Sequence, residues 1–286
     1  MRQKIKLLAD LGKVRITLLS TFSTAMGYLS TGSGIDPLFL FLACAGTFLL
    51  ACGSSALNQV QEREIDARME RTRMRPIPSG AISPAAATLV AGCFMAAGAI
   101  LLSLLPSPLP LILGLVAALW YNGIYTPLKK WTPFAVVPGS LIGAIPPAIG
   151  WTAAGGGLLA PPIVALSFFF FLWQVPHFWL LLLRHGKEYE AAHLPSLTSL
   201  FSDRQLSRLT LIWTLACATS SLLIPLSGAV RSTAAVIFLV AIAFGISLSA
   251  AWTSKKEGSQ FFRLAFHAIN TYSLLIILLV SLDGYL

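Results

Sequence analysis

Asn58, Glu62 and Asp66 stand at i, i+4 and i+8 in the segment Asn58-Gln-Val-Gln-Glu62-Arg-Glu-Ile-Asp66-Ala-Arg-Met-Glu70-Arg71-Thr72-Arg73-Met-Arg75-Pro76. At about 100° per residue, each four-residue helical step drifts by only about 40°, so an amide and two carboxylates share one helix face. Unpaired, that stripe is a repulsive ladder. A divalent cation resolves the repulsion, and an oxygen-only donor set suits Mg2+, which proteins commonly share between carboxylates and phosphate. The arginines downstream, with Lys129 and Lys130, can bind an anion such as diphosphate. A solvated loop with Glu–Arg pairs at a helix end would account for the arginines. It does not account for an amide and two carboxylates on one stripe running on from an apolar segment.

A second acidic cluster, Lys187-Glu188-Tyr189-Glu190, follows another apolar stretch. Two carboxylate sites facing across a cavity make a metal–diphosphate clamp. Gln174 and His177 lie one turn apart inside the apolar run Trp173-Gln-Val-Pro-His-Phe-Trp179. A polar pair within a lipid-embedded helix marks a functional site or an interhelical hydrogen bond, and Pro176 can kink that helix. His185 and His193 read as incidental, because Gly186 and Pro195 break the helical register between them and His177. His267 reads as a packing or hydrogen-bonding residue. Cys44, Cys52, Cys93 and Cys217 lie in or beside apolar runs without CxxC spacing, as small hydrophobes do.

The elements that must position these groups follow from composition. The chain has 286 residues, 56% hydrophobic and 11% charged, with a mean hydropathy of +0.77. Soluble proteins are roughly 45–50% apolar and 25% charged, so part of this surface faces lipid. Disorder, a disulfide scaffold and an ordinary cytosolic enzyme are excluded. Crossing a bilayer takes about 20 apolar residues. Nine candidate spans result, at 16–31, 37–57, 84–105, 108–126, 134–152, 160–183, 206–228, 233–253 and 264–282. The third and fourth form a tight pair divided by the turn Leu-Pro-Ser-Pro-Leu-Pro.

The net charge of +9 is assigned to topology and anionic headgroups rather than to nucleic acid. Nineteen of the 20 Lys and Arg residues fall on the N-terminal flank or on the even-to-odd loops, and Arg231 stands alone on the other side. The positive-inside rule then puts the N-terminus in the cytoplasm and the C-terminus outside. Seven of the 11 acids lie in the inner segments 58–83 and 184–205, which places the chemistry at the cytoplasmic face. The start of the chain reads as a short basic flank with no separate signal peptide, and residues 1–286 as a single integral-membrane domain.

The stripe continues as Met69-x-Arg71-Thr72-x-x-Arg75-Pro76, and in that form it resembles the protoheme IX farnesyltransferase (heme O synthase) family. This family is a branch of the intramembrane aromatic prenyltransferase (UbiA-type) superfamily. Three further segments resemble it in order. They are Tyr125-Thr-Pro-Leu-Lys129-Lys130-x-Thr132, Gly143-Ala-x-Pro146-Pro147-x-x-Gly150-Trp151, and Trp173-Gln174-x-Pro176-His177-Phe178. The likeness runs from Lys13-Val14-Arg15 to Phe262-Arg263 and Asp283, nearly the whole chain.

The resemblance implies an all-α polytopic membrane protein, nine transmembrane helices around a central cavity open to the cytoplasmic side. It implies transfer of the farnesyl group of farnesyl diphosphate to a vinyl group of protoheme IX with addition of water, giving heme O and diphosphate, with Mg2+ required. Heme is then a substrate, not a cofactor, and the location is a bacterial inner membrane. Asn58, Glu62, Asp66 and Glu188 are implied to be catalytic and to hold Mg2+. Arg71, Arg75 and Lys129 are implied to bind diphosphate, with Tyr125, Gln174, His177 and Tyr189 as further substrate contacts. Delivery of the product to heme A synthase or to terminal oxidase assembly is implied by the family alone.

Departures from the family pattern are Val14 for Pro, Ala135-Val136 for Asn-Ile, Glu188 for Asp and Ala192 for Gly. His193-Leu194-Pro195-Ser196 follows the pattern only loosely. A prenyltransferase for a quinone precursor or another tetrapyrrole is the nearest alternative. A secondary transporter is the remote one, because transporters put ionisable groups near the midplane.

Overall fold

The computed structural model describes residues 2–184, 186–191, 194–254 and 258–285. Every regular element among them is helical. A short amphipathic helix, α1 (Arg2–Leu11), leads into α2 (Val14–Leu29), α3 (Pro37–Gln61) and the one-and-a-half-turn α4 (Arg63–Arg68). The hairpin of α5 (Pro84–Ser103) and α6 (Leu109–Leu119) follows, with α6 running on through a π-turn at Trp120–Tyr125. Then come α7 (Leu141–Ala153), α8 (Pro161–Arg184), the short α9 (Gly186–Ala191), α10 (Asp203–Ser221), α11 (Thr233–Thr253) and α12 (Gly258–Leu282).

The starts of these helices are written locally. Asp36 caps α3 by accepting from Leu38 N and Phe39 N at 2.9 and 3.2 Å, with Pro37 at the first helical position. Ser83 and Pro84 open α5 the same way, and Ser232 caps α11. A side-chain oxygen takes up an orphan N–H while proline loses none.

Eight of the described helices are long and apolar enough to cross a bilayer: Pro37–Gln61, Pro84–Ser103, Leu109–Leu128, Pro133–Ala153, Pro161–Leu183, Asp203–Leu226, Thr233–Thr253 and Phe262–Leu282. The first expected span, α2, has 16 residues, about 24 Å at 1.5 Å per residue. It nonetheless packs inside the bundle against α3, α7 and α12. Large apolar side chains such as Leu89, Leu119, Ile237 and Phe244 point outward, as helices facing acyl chains require. His267 is also exposed rather than packed inside.

The crossing of α2 with α7 is a close one. A Cβ on Gly150 would collide with the Thr24 carbonyl oxygen, and one on Gly27 with the Pro147 carbonyl. Small residues let two backbones approach in this way, and this accounts for Pro147 and Gly150 of the Pro146-Pro147-x-x-Gly150 segment by packing.

Loop partners sort the chain ends into two layers. At one end Lys13 meets Asn58, Lys129 meets Glu62, and Arg71 meets Glu188. At the other, Ser33 meets Ala154, while Arg231 N and Ser232 N both donate to Asp283. These are the groupings of loops that the charge asymmetry predicts.

Candidate active site

The acidic stripe is not one unbroken helix. α3 ends at Gln61, and Glu62 adopts φ −103°, ψ 7° before α4 begins. Two hydrogen bonds carry the four-residue register across that joint, Glu62 N to Asn58 O at 2.9 Å and Asp66 N to Glu62 O at 2.8 Å. Asn58, Glu62 and Asp66 therefore still line one cavity, of about 270 Å3. Its polar end also receives Lys13, Arg71, Arg75, Lys129 and Lys130. Its depth is lined by small and apolar groups of α2, α3, α6 and α7, among them Leu50, Ala118, Pro146 and Ile149.

Each carboxylate of the stripe is closed by a cation. One guanidinium nitrogen of Arg75 bridges both oxygens of the buried Asp66, at 2.8 and 2.7 Å. Lys129 Nζ lies 2.5 Å from Glu62 Oε1, and 5.0 Å from the centre of the Tyr125 ring. Burial alone would raise the Glu62 carboxyl, but Lys129, Lys13 and a hydrogen bond from Asn58 hold it below its ordinary value.

Asn58 is oriented by its amide, which donates to Thr126 Oγ1 at 3.1 Å, while its Oδ1 accepts from Lys13 Nζ at 2.9 Å. Lys13 sits at φ 50°, the single positive φ outside glycine among the described residues. Burial, then Arg75 and Lys129 nearby, bring its amine down to about 7 against the pull of Glu62 and Asp66. A left-handed lysine is strained, and here it is held with its side chain on Asn58.

The π-turn at Trp120–Tyr125 places Tyr121 and Tyr125 on the cavity wall, stacked at 5.8 Å, and Phe178 of α8 stacks on Tyr125 at 5.8 Å. Gln174 also lines the cavity, with Oε1 against Gly143 where no Cβ could fit. Glu188, on α9, does not itself line the cavity; its Oε2 accepts from the N–H of Arg71, which does, at 3.1 Å. The second acidic cluster thus reaches the basic segment that follows the first.

His177 is not brought to the cavity. Its Nδ1 is 2.7 Å from Asn270 Oδ1, and its ring stacks on Trp173 at 4.7 Å, toward α12. The side chains of Arg184, Lys187, Tyr189 and Glu190 lie outside the described residues, as do His185, Ala192, His193, Lys255 and Lys256.

The oxygen donors of the stripe fit a hard cation such as Mg2+, although no group of three or more His, Cys, Asp or Glu side chains stands ready for a metal among the described residues. Arg75 and Lys129 hold the carboxylates in that role. Lys13, Tyr121 and Phe178 also line the cavity; Lys13 and Phe178 stand in the resembling segments with no role assigned to them, and Tyr121 stands in none. The signal for Lys13 was available, a lysine directly before the first apolar run. Tyr121 is brought in by the π-turn, which has no simple sequence signature.

A bundle of membrane-length helices around a cavity with an anion-handling polar end and an apolar depth is an intramembrane enzyme for a substrate with a charged head and a greasy tail. The profile of the UbiA prenyltransferase family matches residues 18–270, and the chain belongs to that family. It is 36% identical over 275 residues to a protoheme IX farnesyltransferase of Oleidesulfovibrio alaskensis, covering 96% of this chain and 95% of that one. It is 43% identical over 214 residues to a protoheme IX farnesyltransferase of Geobacter sulfurreducens, covering 75% of this chain and 78% of the other. Among solved structures, a digeranylgeranylglyceryl phosphate synthase superposes with TM-score 0.79 at 16% identity, covering 99% of both chains. A UbiA homologue from Archaeoglobus fulgidus bound to GPP and Mg2+ superposes with TM-score 0.69 at 13% identity, covering 96% of this chain and 99% of that one.

Proposed function

We propose that this protein transfers the farnesyl group of farnesyl diphosphate to a vinyl group of protoheme IX, with addition of water, releasing heme O and diphosphate. The observation that carries this reading is the cation-capped carboxylate pair at the polar end of an otherwise apolar cavity. The relatives described as protoheme IX farnesyltransferases support the choice of acceptor.

Diphosphate arriving at the polar end competes for Arg75 and Lys129, both of which contact the cavity, and Lys13 and Arg71 add positive charge. Drawing those cations onto phosphate oxygens uncovers Asp66 and Glu62. Asn58, Glu62 and Asp66, with Glu188 from the facing segment, would then hold Mg2+. A metal held there would neutralise charge that develops on the leaving diphosphate. The cations do the same as the C–O bond breaks.

The farnesyl chain lies along the apolar depth. The aromatic wall of Tyr121, Tyr125 and Phe178 borders the allylic cation and keeps bulk water from it. Gln174 offers a polar contact to the acceptor, and Tyr189 is a substrate contact by resemblance. His177, held by Asn270, acts at most through the α8 wall.

The basic end faces the cytoplasm, as the positive-inside rule directs, with α2 as the ninth span and residues 1–286 acting as one membrane domain. The membrane is a bacterial inner membrane. The product would pass within it to a terminal oxidase or to heme A synthase. The test is mass spectrometry of hemes from cells that lack their own synthase and express this chain. A farnesylated hydroxyethyl heme is expected, and its absence from cells carrying inserted protein would overturn the proposal.

A further inference from the structure

A serine in an apolar helix normally donates its hydroxyl to the carbonyl three or four residues back. Seven of the nine buried serines among the described residues place their hydroxyl in a hydrogen bond, as Ser140 does to Val136 O at 2.8 Å and Ser221 to Ala218 O at 2.7 Å. Ser54 and Ser55 are the exceptions. They are 6% and 7% exposed, both line the cavity, and neither hydroxyl has a hydrogen-bond partner among the described residues. Neither Oγ is among the fully buried unpaired atoms of the described residues, so both hydroxyls open onto the cavity, where a ligand or water can pair with them.

Their level in the cavity is set by the helix. Ser54 and Ser55 precede Asn58 by four and three residues, so they lie on its face one turn away, about 5.4 Å along the axis. Asn58 belongs to the layer of charges that takes diphosphate. The carbon bonded to that diphosphate must lie within about a turn of it, at the height of the two serines.

We propose that Ser54 and Ser55 hold the water molecule that becomes the hydroxyl of the product. This rests on the farnesyl-transfer reading above. The C1–O bond of farnesyl diphosphate breaks and its electron pair leaves with diphosphate. The terminal vinyl carbon bonds to C1 through the vinyl π electrons, which leaves the cation on the vinyl carbon next to the porphyrin ring. A lone pair of the water closes on that carbon, and the surplus proton passes to the released diphosphate. Two hydroxyls, each able to donate and accept, give the water the partners that an ordered buried water needs. Without them the same cation discharges by losing a proton, and the product is an alkene lighter by one water.

The test is the product ratio of the Ser54→Ala/Ser55→Ala double variant, read by mass spectrometry in water labelled with heavy oxygen. The dehydrated share of farnesylated heme should rise roughly tenfold, the factor that about 1.4 kcal/mol of lost hydrogen bonding corresponds to. Diphosphate release should fall by less. Ser54→Thr/Ser55→Thr, which keeps both hydroxyls, should retain the hydroxylated product. If the double alanine variant does not accumulate, each single alanine variant reads the same ratio. An unchanged ratio with full label incorporation overturns the water site, and so does a change confined to the KM for the acceptor. Wild-type protein that makes no farnesylated heme would overturn the farnesyl-transfer reading and this proposal together.

Discussion

Replacing Asp66 by Asn removes one partner of a bridge in which Arg75 contacts both carboxylate oxygens. The Asp66 side chain is 4% exposed and that of Arg75 23%. Breaking a fully buried pair costs about 3–5 kcal/mol because the remaining charge stays uncompensated. Arg75 opens onto the cavity and keeps some solvent, which lowers the expectation to about 2 kcal/mol. By the scaling of soluble chains of nearby size, that is a fall in Tm of roughly 4–8 °C, so the protein should remain inserted and folded. Turnover should drop much further. Losing one preorganised contact to developing charge costs on the order of 100- to 1,000-fold, and Asp66 also serves the metal. The assay pairs a thermal melt of the detergent-solubilised protein with heme O formation at saturating Mg2+. Asp66→Asn/Arg75→Met should be less destabilised than the sum of the two single changes, since each single change orphans the other's charge. Near-normal Mg2+-dependent activity in Asp66→Asn would refute the metal assignment. Strictly additive stabilities would refute the claim that the pair is what holds this corner of the site.

Glu188→Gln should impair activity severely and Glu188→Asp should be tolerated or improve it, because Mg2+ sites keep waters that absorb one methylene. A wild-type rate in Glu188→Gln would reduce Glu188 to the loop contact it makes with Arg71 N. A reporter placed after Pro76 should be active in the cytoplasm, and one fused at the C-terminus should be active outside; the reverse at either site removes the nine-span topology. Gly150→Ala drives a methyl into the Thr24 carbonyl and should destabilise by about 1–3 kcal/mol, seen as a lower Tm with KM little changed if the site survives. A neutral result would mean that α2 and α7 can separate at no cost.

Membrane class, the helix starts and the two-sided sorting of loops were legible in the residues themselves, because each depends on composition or on groups a few positions apart. The desolvation cost of charge settles the first, Asp36 and Ser83 beside their prolines settle the second, and the confinement of basic residues to one set of loops settles the third. The stripe of Asn58, Glu62 and Asp66 was legible for the same reason, since a period of 3.6 turns spacing into a shared face. That stripe holds across a joint at Glu62 that periodicity does not announce. What only the tertiary structure decided are the partners from distant parts of the chain. Lys13 folds over Asn58 through a left-handed turn, Thr126 orients the Asn58 amide, and a π-turn brings Tyr121 in beside Tyr125. Packing also turned His177 toward Asn270, which makes it the interhelical hydrogen bond that its place in an apolar helix had left open, and away from the cavity where the resemblance had implied a substrate contact. A polar side chain inside a membrane helix must find a partner, but the helix alone offers several faces. Which one carries that partner is set by the neighbouring helices, and their positions are not written in any local spacing.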